Sequence, residues 1–179
     1  MSKSDGREWI RTAVETYQGR LIRYARHITG DAEAARDAVQ ETFLRLCREN
    51  PRRIQDHLAA WLFRVCRHRA LDTRRKEDRM VSIDQQPREA APAGSAGVGL
   101  DRRLDQREAI GRVLGALAEL TPSQQEVLRL RFQEELSYRE ISSVTGRSLS
   151  HVGVLIHEGM KGLRRKLDGG LSSAREGGE

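Results

Sequence analysis

The stretch 137–167, "SYREISSVTGRSLSHVGVLIHEGMKGLRRKL", holds two short helical patterns separated at Gly146. Ser137 with Glu140 three residues on forms a capping box, so the first helix starts immediately after Ser137. Gly146 ends it, because glycine enters the left-handed backbone region without a Cβ clash. Ser148 is placed to cap the second helix, whose Val152, Ile156, Met160, Leu163 and Leu167 fall on one stripe. Ile141 and Val144 are expected to pack on Val152 and Ile156, with the small Ser142 allowing close approach. This spacing suits a helix-turn-helix, and it equally suits an ordinary helical hairpin in a bundle core.

Upstream, "TPSQQEVLRLRF" opens with Thr121 as N-cap, Pro122 at the first helical position and Gln124 closing a second capping box. A helix from Asp101 to Glu119 precedes it, with Leu104, Ile110, Leu114 and Leu117 on its apolar stripe. Further back, Met80–Leu100 is rich in Pro, Ala, Gly and Ser, lacks a sustained period and reads as a linker. Some twenty residues span at most about 70 Å when extended. Three longer helical patterns come before it. One runs from Asp5 to Thr29, with Ile10, Val14, Tyr17, Leu21, Tyr24 and Ile28 inward. The next, Asp31 to Glu49, buries Ala35, Val39, Phe43 and Leu46 and exposes Asp37, Gln40 and Glu41. The loop "ENPRRIQD" follows, and a third helix starts at an Asp56 cap and reaches Arg79. Leu58, Leu62, Val65 and Cys66 point one way on it, while Trp61, Arg64, His68, Leu71 and Arg75 line a neighbouring face. The fold class is therefore all-α: two small helical domains joined by a flexible linker.

Composition agrees with that division. Of 179 residues 37% are hydrophobic and 32% charged, which disfavours one large core. The net charge of +6 favours polyanionic partners such as nucleic acid. Cys47 and Cys66 form no CxxC pair, and the five histidines (His27, His57, His68, His151, His157) lack metal spacing. No phosphate-binding glycine loop is present, so no enzyme, metal or cofactor is expected. Neither a signal peptide nor a membrane span is legible, and a cytoplasmic location is expected.

The ordered series "DAEAARDAVQETFLRL", "AWLFRVCRHRALDTRRK", a variable linker and "LTPSQQEVLRLRFQEELSYREIS" resembles a bacterial extracytoplasmic-function RNA polymerase sigma factor. The resemblance covers residues 10–167 and implies region 2 over 1–79, a linker over 80–100, region 4 over 101–167 and a disordered tail over 168–179. It implies that Asp37, Gln40 and Glu41 grip the clamp helices of the polymerase β′ subunit. It places Trp61, Arg64, His68, Arg69, Arg74 and Arg75 on the −10 element, with Arg52 and Arg53 in the loop that captures an extruded base. An aromatic ring among cations can stack on unpaired bases while the cations hold phosphates. Where relatives carry Asn, this chain has His68. The first region 4 helices, through Arg129, Arg131 and Phe132, are implied to meet the polymerase β flap. An anti-sigma factor is an optional further partner.

The expected recognition helix has no Lys or Arg between its cap and Lys161. Its candidate −35 contacts are Ser148, Ser150, His151, Val154, His157 and Lys161, with Arg139 and Arg147 flanking the turn. Val154 and Leu155 suit thymine methyls or an apolar protein surface. Gly153, Gly159 and Gly162 each cost roughly 0.8–1 kcal/mol relative to Ala, so the helix is intrinsically weak. Such a module is expected to bind promoter DNA through avidity, with both domains held on polymerase. A stand-alone helix-turn-helix regulator is the alternative; it would bind its operator tightly without polymerase.

Overall fold

The computed structural model describes residues 3–81, 111 and 113–176. Most of the expected linker and of the helix beginning at Asp101 lie outside the described residues. Among the described residues the regular structure is helical throughout. The elements are α1 (Lys3–Thr29), α2 (Ala32–Leu46), α3 (Pro51–Ile54), a 3-10 turn (Gln55–His57), α4 (Leu58–Val81), α5 (Pro122–Phe132), α6 (Tyr138–Thr145) and α7 (Leu149–Glu176). They group into two compact units, one built on the N-terminal helices and one on the C-terminal helices.

In the first unit α1, α2 and α4 each pack on the other two. Gly30, at φ +75°, stops α1, and the Asp31 carboxylate then accepts from the Glu33 and Ala34 amides at 2.9 and 2.8 Å to start α2. The turn thus comes from one left-handed glycine and one cap. Leu21, Leu46, Leu62 and Phe63 are wholly buried, and the Tyr24 and Phe63 rings meet edge to face at 5.2 Å. The expected stripes hold at Leu21, Tyr24, Ala35, Val39, Leu46, Leu62, Val65 and Cys66, whereas Ile10, Val14, Tyr17, Ile28, Phe43 and Leu58 are only half-buried. Cys66 is enclosed, its thiol directed at the Leu21 carbonyl, and burial pushes its pKa up to about 12. Cys47 is exposed and free.

The segment expected as a loop before α4 contains a turn of helix. The Asn50 side chain accepts from the Arg52 amide at 3.1 Å and Pro51 occupies the first helical turn. Proline at that position loses no intrahelical bond, so α3 forms where a helix break was expected. Asn50 thus caps α3, while Asp56, expected to cap the helix that follows, lies inside the 3-10 turn leading into α4.

In the second unit both expected capping boxes are present. Thr121 and Gln124 exchange bonds at the head of α5, and Ser137 and Glu140 do so ahead of α6. Gly146 is left-handed at φ +72°, and the Ser148 hydroxyl accepts from the His151 amide at 3.2 Å. Ile141, Val144, Val152 and Ile156 are all buried, as the helix-turn-helix pattern requires. Two expectations change. Leu114 is exposed, because Ala116, Leu117 and Leu120 are the residues that face inward there. The last helix continues past Leu167 to Glu176, since glycines lower helix propensity without forbidding the conformation.

The glycines of α7 also take a different role. A Cβ on Gly159 would lie 2.9 Å from Leu128 Cδ1, and one on Gly162 would lie 2.8 Å from Leu120 Cδ2. Their missing side chains admit leucines from α5 and from the residue ending the segment before it. The local propensity cost is thus offset by close packing.

Candidate nucleic-acid interface

The exposed face of α2 carries Asp37, Gln40 and Glu41 at i, i+3 and i+4, so the three side chains form one polar patch. α4 supplies the neighbouring surface. Arg64, His68, Arg69, Arg74 and Arg75 are exposed along it, and Trp61 is half-buried. The two faces touch: Arg69 Nε lies 3.1 Å from Glu41 Oε2, bridging α4 and α2. Arg74 donates to the Ile28 carbonyl at 3.3 Å and lies 3.8 Å from Asp78. A cation at the last turn of α1 complements that helix's dipole. Arg75 sits 3.8 Å from Asp72. Arg52 and Arg53 are exposed on α3, close before α4 in sequence.

Arg74 with Asp78 and Arg75 with Asp72 are local helical pairs. The two pairings that join different helices were not legible in the sequence, because they join residues far apart in the chain: 28 positions for Glu41 and Arg69 and 46 for Ile28 and Arg74. No helical period encodes such partners. What the sequence could offer was the type of each residue and its face.

On the second unit, α6 and α7 meet at the turn 146–148. Arg139, Ser148, Ser150, His151, Val154, His157 and Lys161 are exposed, and Val154 keeps 61% of its surface. Gly153 lies beside the Tyr138 ring, at the mouth of a cleft of about 410 Å³ whose rim includes His157, Lys161, Arg164 and Arg165. The cations therefore sit at the C-terminal end of the exposed face, while its middle is apolar and imidazole-bearing.

Arg147 departs from the expected free flanking cation. It is half-buried, its Nη2 donates to Ser123 Oγ at 2.7 Å, and its Nη1 lies 3.5 Å from His151 Nε2. Its own carbonyl accepts from Ser142 Oγ at 2.6 Å. Ser142, expected only as a small spacer, thus closes the turn chemically. Sequence reasoning missed Ser123 altogether, since a serine inside a capping stretch carries no sign of a partner 24 residues on.

Of the three side chains expected at a polymerase flap, two are engaged within the unit. Arg129 is half-buried, and desolvation lowers its guanidinium pKa. Arg131 donates to the Leu136 carbonyl at 3.1 Å and lies 5.9 Å over the Tyr138 ring. Phe132 alone of the three points outward, with 59% of its surface exposed. Among the described residues, no group of His, Cys, Asp and Glu is arranged to hold a metal ion, and no helix is long and apolar enough to cross a membrane.

Known proteins match both units. Residues 13–80 match Sigma-70 region 2 and residues 116–165 match Sigma-70 region 4. Over 166 residues the chain is 31% identical to the ECF RNA polymerase sigma factor SigL of Mycobacterium tuberculosis, covering 88% of each chain. It is 28% identical to the ECF RNA polymerase sigma factor SigM of Bacillus subtilis, over 73% of this chain and 77% of that one. Among solved structures, the sigma factor RpoE in complex with the anti-sigma factor NepR from Bartonella quintana shares the fold. Its TM-score is 0.66 at 20% identity, over 88% of this chain and 96% of that one.

Proposed function

The chain belongs to the extracytoplasmic-function family of RNA polymerase sigma factors, which direct promoter-specific initiation, and on that premise we propose how its residues divide the work. Residues 1–79 act as region 2. Asp37, Gln40 and Glu41 meet the polymerase β′ clamp helices, an acidic, hydrogen-bonding face suited to a basic helical partner. Trp61, Arg64, His68, Arg74 and Arg75 face the −10 element, with Arg52 and Arg53 beside the strand where a base is drawn out. A stacking ring and flanking cations favour the melted strand over the duplex, because only unpaired bases expose their faces.

Residues 80–100 are the segment joining this module to region 4, residues 101–167. There α7 enters the −35 element, and Arg139, Ser148, Ser150, His151, Val154, His157 and Lys161 are the residues nearest the DNA. Phe132 is the outward group best suited to the β flap. The protein is a cytoplasmic specificity subunit rather than an enzyme, and an anti-sigma factor can hold it inactive.

The observation that carries this reading is the presence of exposed carboxylates on α2 beside exposed cations on α4, within the part that matches region 2. Reconstituted transcription tests it. Core polymerase with this chain is expected to start RNA at discrete promoter positions that core alone does not use; identical start sites with and without the chain would defeat the reading. Asp37→Arg with Glu41→Arg is expected to lower core binding in a pull-down, and unchanged capture would remove the clamp assignment. Arg75→Ala is expected to flatten the dependence of promoter binding on salt by about one ion released per phosphate contact.

A further inference from the structure

We propose that Arg147 is a positioning residue rather than a DNA contact, and that it makes His151 a specificity-determining donor whose Nδ1–H is presented to an acceptor on a −35 base edge. The inference rests on the assignment of α7 to the −35 element and adds to it a named donor and a tautomer.

Arg147 joins three helices at one point. Its carbonyl takes the Ser142 hydroxyl of α6 at 2.6 Å, its Nη2 reaches Ser123 of α5 at 2.7 Å, and its Nη1 faces His151 Nε2 of α7 at 3.5 Å. A guanidinium carries donors only, so the imidazole nitrogen facing it is the one with the lone pair. The ring proton then resides on Nδ1. His151 is exposed in the first turn of α7, immediately before the buried Val152. A half-buried arginine tied to Ser123 would surrender that bond to follow a phosphate.

The chemistry suits a base edge. Purine N7, guanine O6 and thymine O4 line the major groove as acceptors. A ring N–H donor on a base edge selects bases through one directed bond, whereas a cation on phosphate holds the strand and releases counterions without reading it. This accounts for a recognition helix without Lys or Arg before Lys161: its opening turn reads, and its cations lie further along.

The test measures affinity of the reconstituted holoenzyme for a promoter and its single −35 base-pair variants at several salt concentrations. Arg147→Met and His151→Ala are each expected to lower discrimination at the same base pair, on the order of fivefold for one hydrogen bond. The double variant is expected to lose no more than either single one, and the salt slope is expected to stay that of the parent. A slope flattened by about 0.9 in Arg147→Met would mark a phosphate contact and overturn the proposal. So would losses at different base pairs or effects that multiply in the double variant. Ser123→Ala keeps the guanidinium and removes its tether, so a specificity loss with unchanged slope is expected even if Arg147→Met folds poorly. In the free full-length chain, nitrogen-15 spectra are expected to show the Nδ1–H tautomer at His151; an Nε2–H tautomer would overturn the assignment. A parent holoenzyme indifferent to every −35 substitution would instead remove the −35 assignment on which the inference stands.

Discussion

In the first unit α4 meets its neighbours through bulk: Phe63, Leu62 and Cys66 fill the space against α1 and α2. In the second unit α7 meets α5 and the segment before it partly through absence, with Gly159 receiving Leu128 and Gly162 receiving Leu120. The contrast bears on how each unit presents its polar face. The three-helix bundle is held by large interlocked side chains, and its exposed face is trimmed by ion pairs such as Arg69 with Glu41. α7 is weak by propensity, yet it is pinned at both ends of its exposed stretch. Arg147 and Ser123 tie its first turn, and the glycine seats hold its later turns against α5. Val154 and His157, between those anchors, are held in place by packing rather than by the helix's own preference.

Five experiments press on that contrast. The largest effect is expected from Phe63→Ala, which should cost about 3–5 kcal/mol in denaturant unfolding by opening a cavity in the first unit. A loss under about 1 kcal/mol would mean the bundle does not depend on bulk in this way.

Cys66 adds a pH signature of the same core. The unfolded thiol ionises near its ordinary pKa of 9, while the folded one keeps its proton to about 12. Between those values the folded state binds more protons, so this group's contribution falls as pH rises, by about 1.4 kcal/mol per pH unit. Cys66→Ala is expected to lose that part of the slope in unfolding curves collected from pH 9 upward. In the native chain at neutral pH, an alkylating reagent should label the exposed Cys47 and spare Cys66.

Gly159→Leu tests the second unit. Overfilling the seat opposite Leu128 is expected to destabilise by about 1–3 kcal/mol despite the better helix propensity of leucine. A gain in melting temperature would show that propensity, not packing, limits α7. The smallest effect belongs to Glu41→Gln and Arg69→Gln. A double-mutant cycle should find a coupling of about 0.2–1 kcal/mol, as exposed pairs give. Zero coupling would make this contact incidental to how the first unit holds its face.

Much of this fold was legible beforehand. The capping boxes at Thr121 and Ser137, the stops at Gly30 and Gly146 and the buried stripe through Ile141, Val144, Val152 and Ile156 are local patterns. The exposure of Asp37, Gln40 and Glu41 followed from the same helical period. Less could be read of the site. Arg147 looked like a free cation because a sequence shows a charge but not its partner, and Ser123 showed nothing of its bond. The turn of helix at Pro51 was missed because proline usually signals a break, although at the first helical position it starts one.

The sequence by itself determined where helices start and stop, which faces are apolar and that the chain carries two helical parts, because caps, left-handed glycines and a 3.6-residue period all act within a few residues. Only the tertiary structure decided which cations are already engaged, that two glycines are seats for leucines and that Arg147 links three helices. Those outcomes depend on distances between residues remote in the chain, and no local rule fixes such distances before the helices have packed.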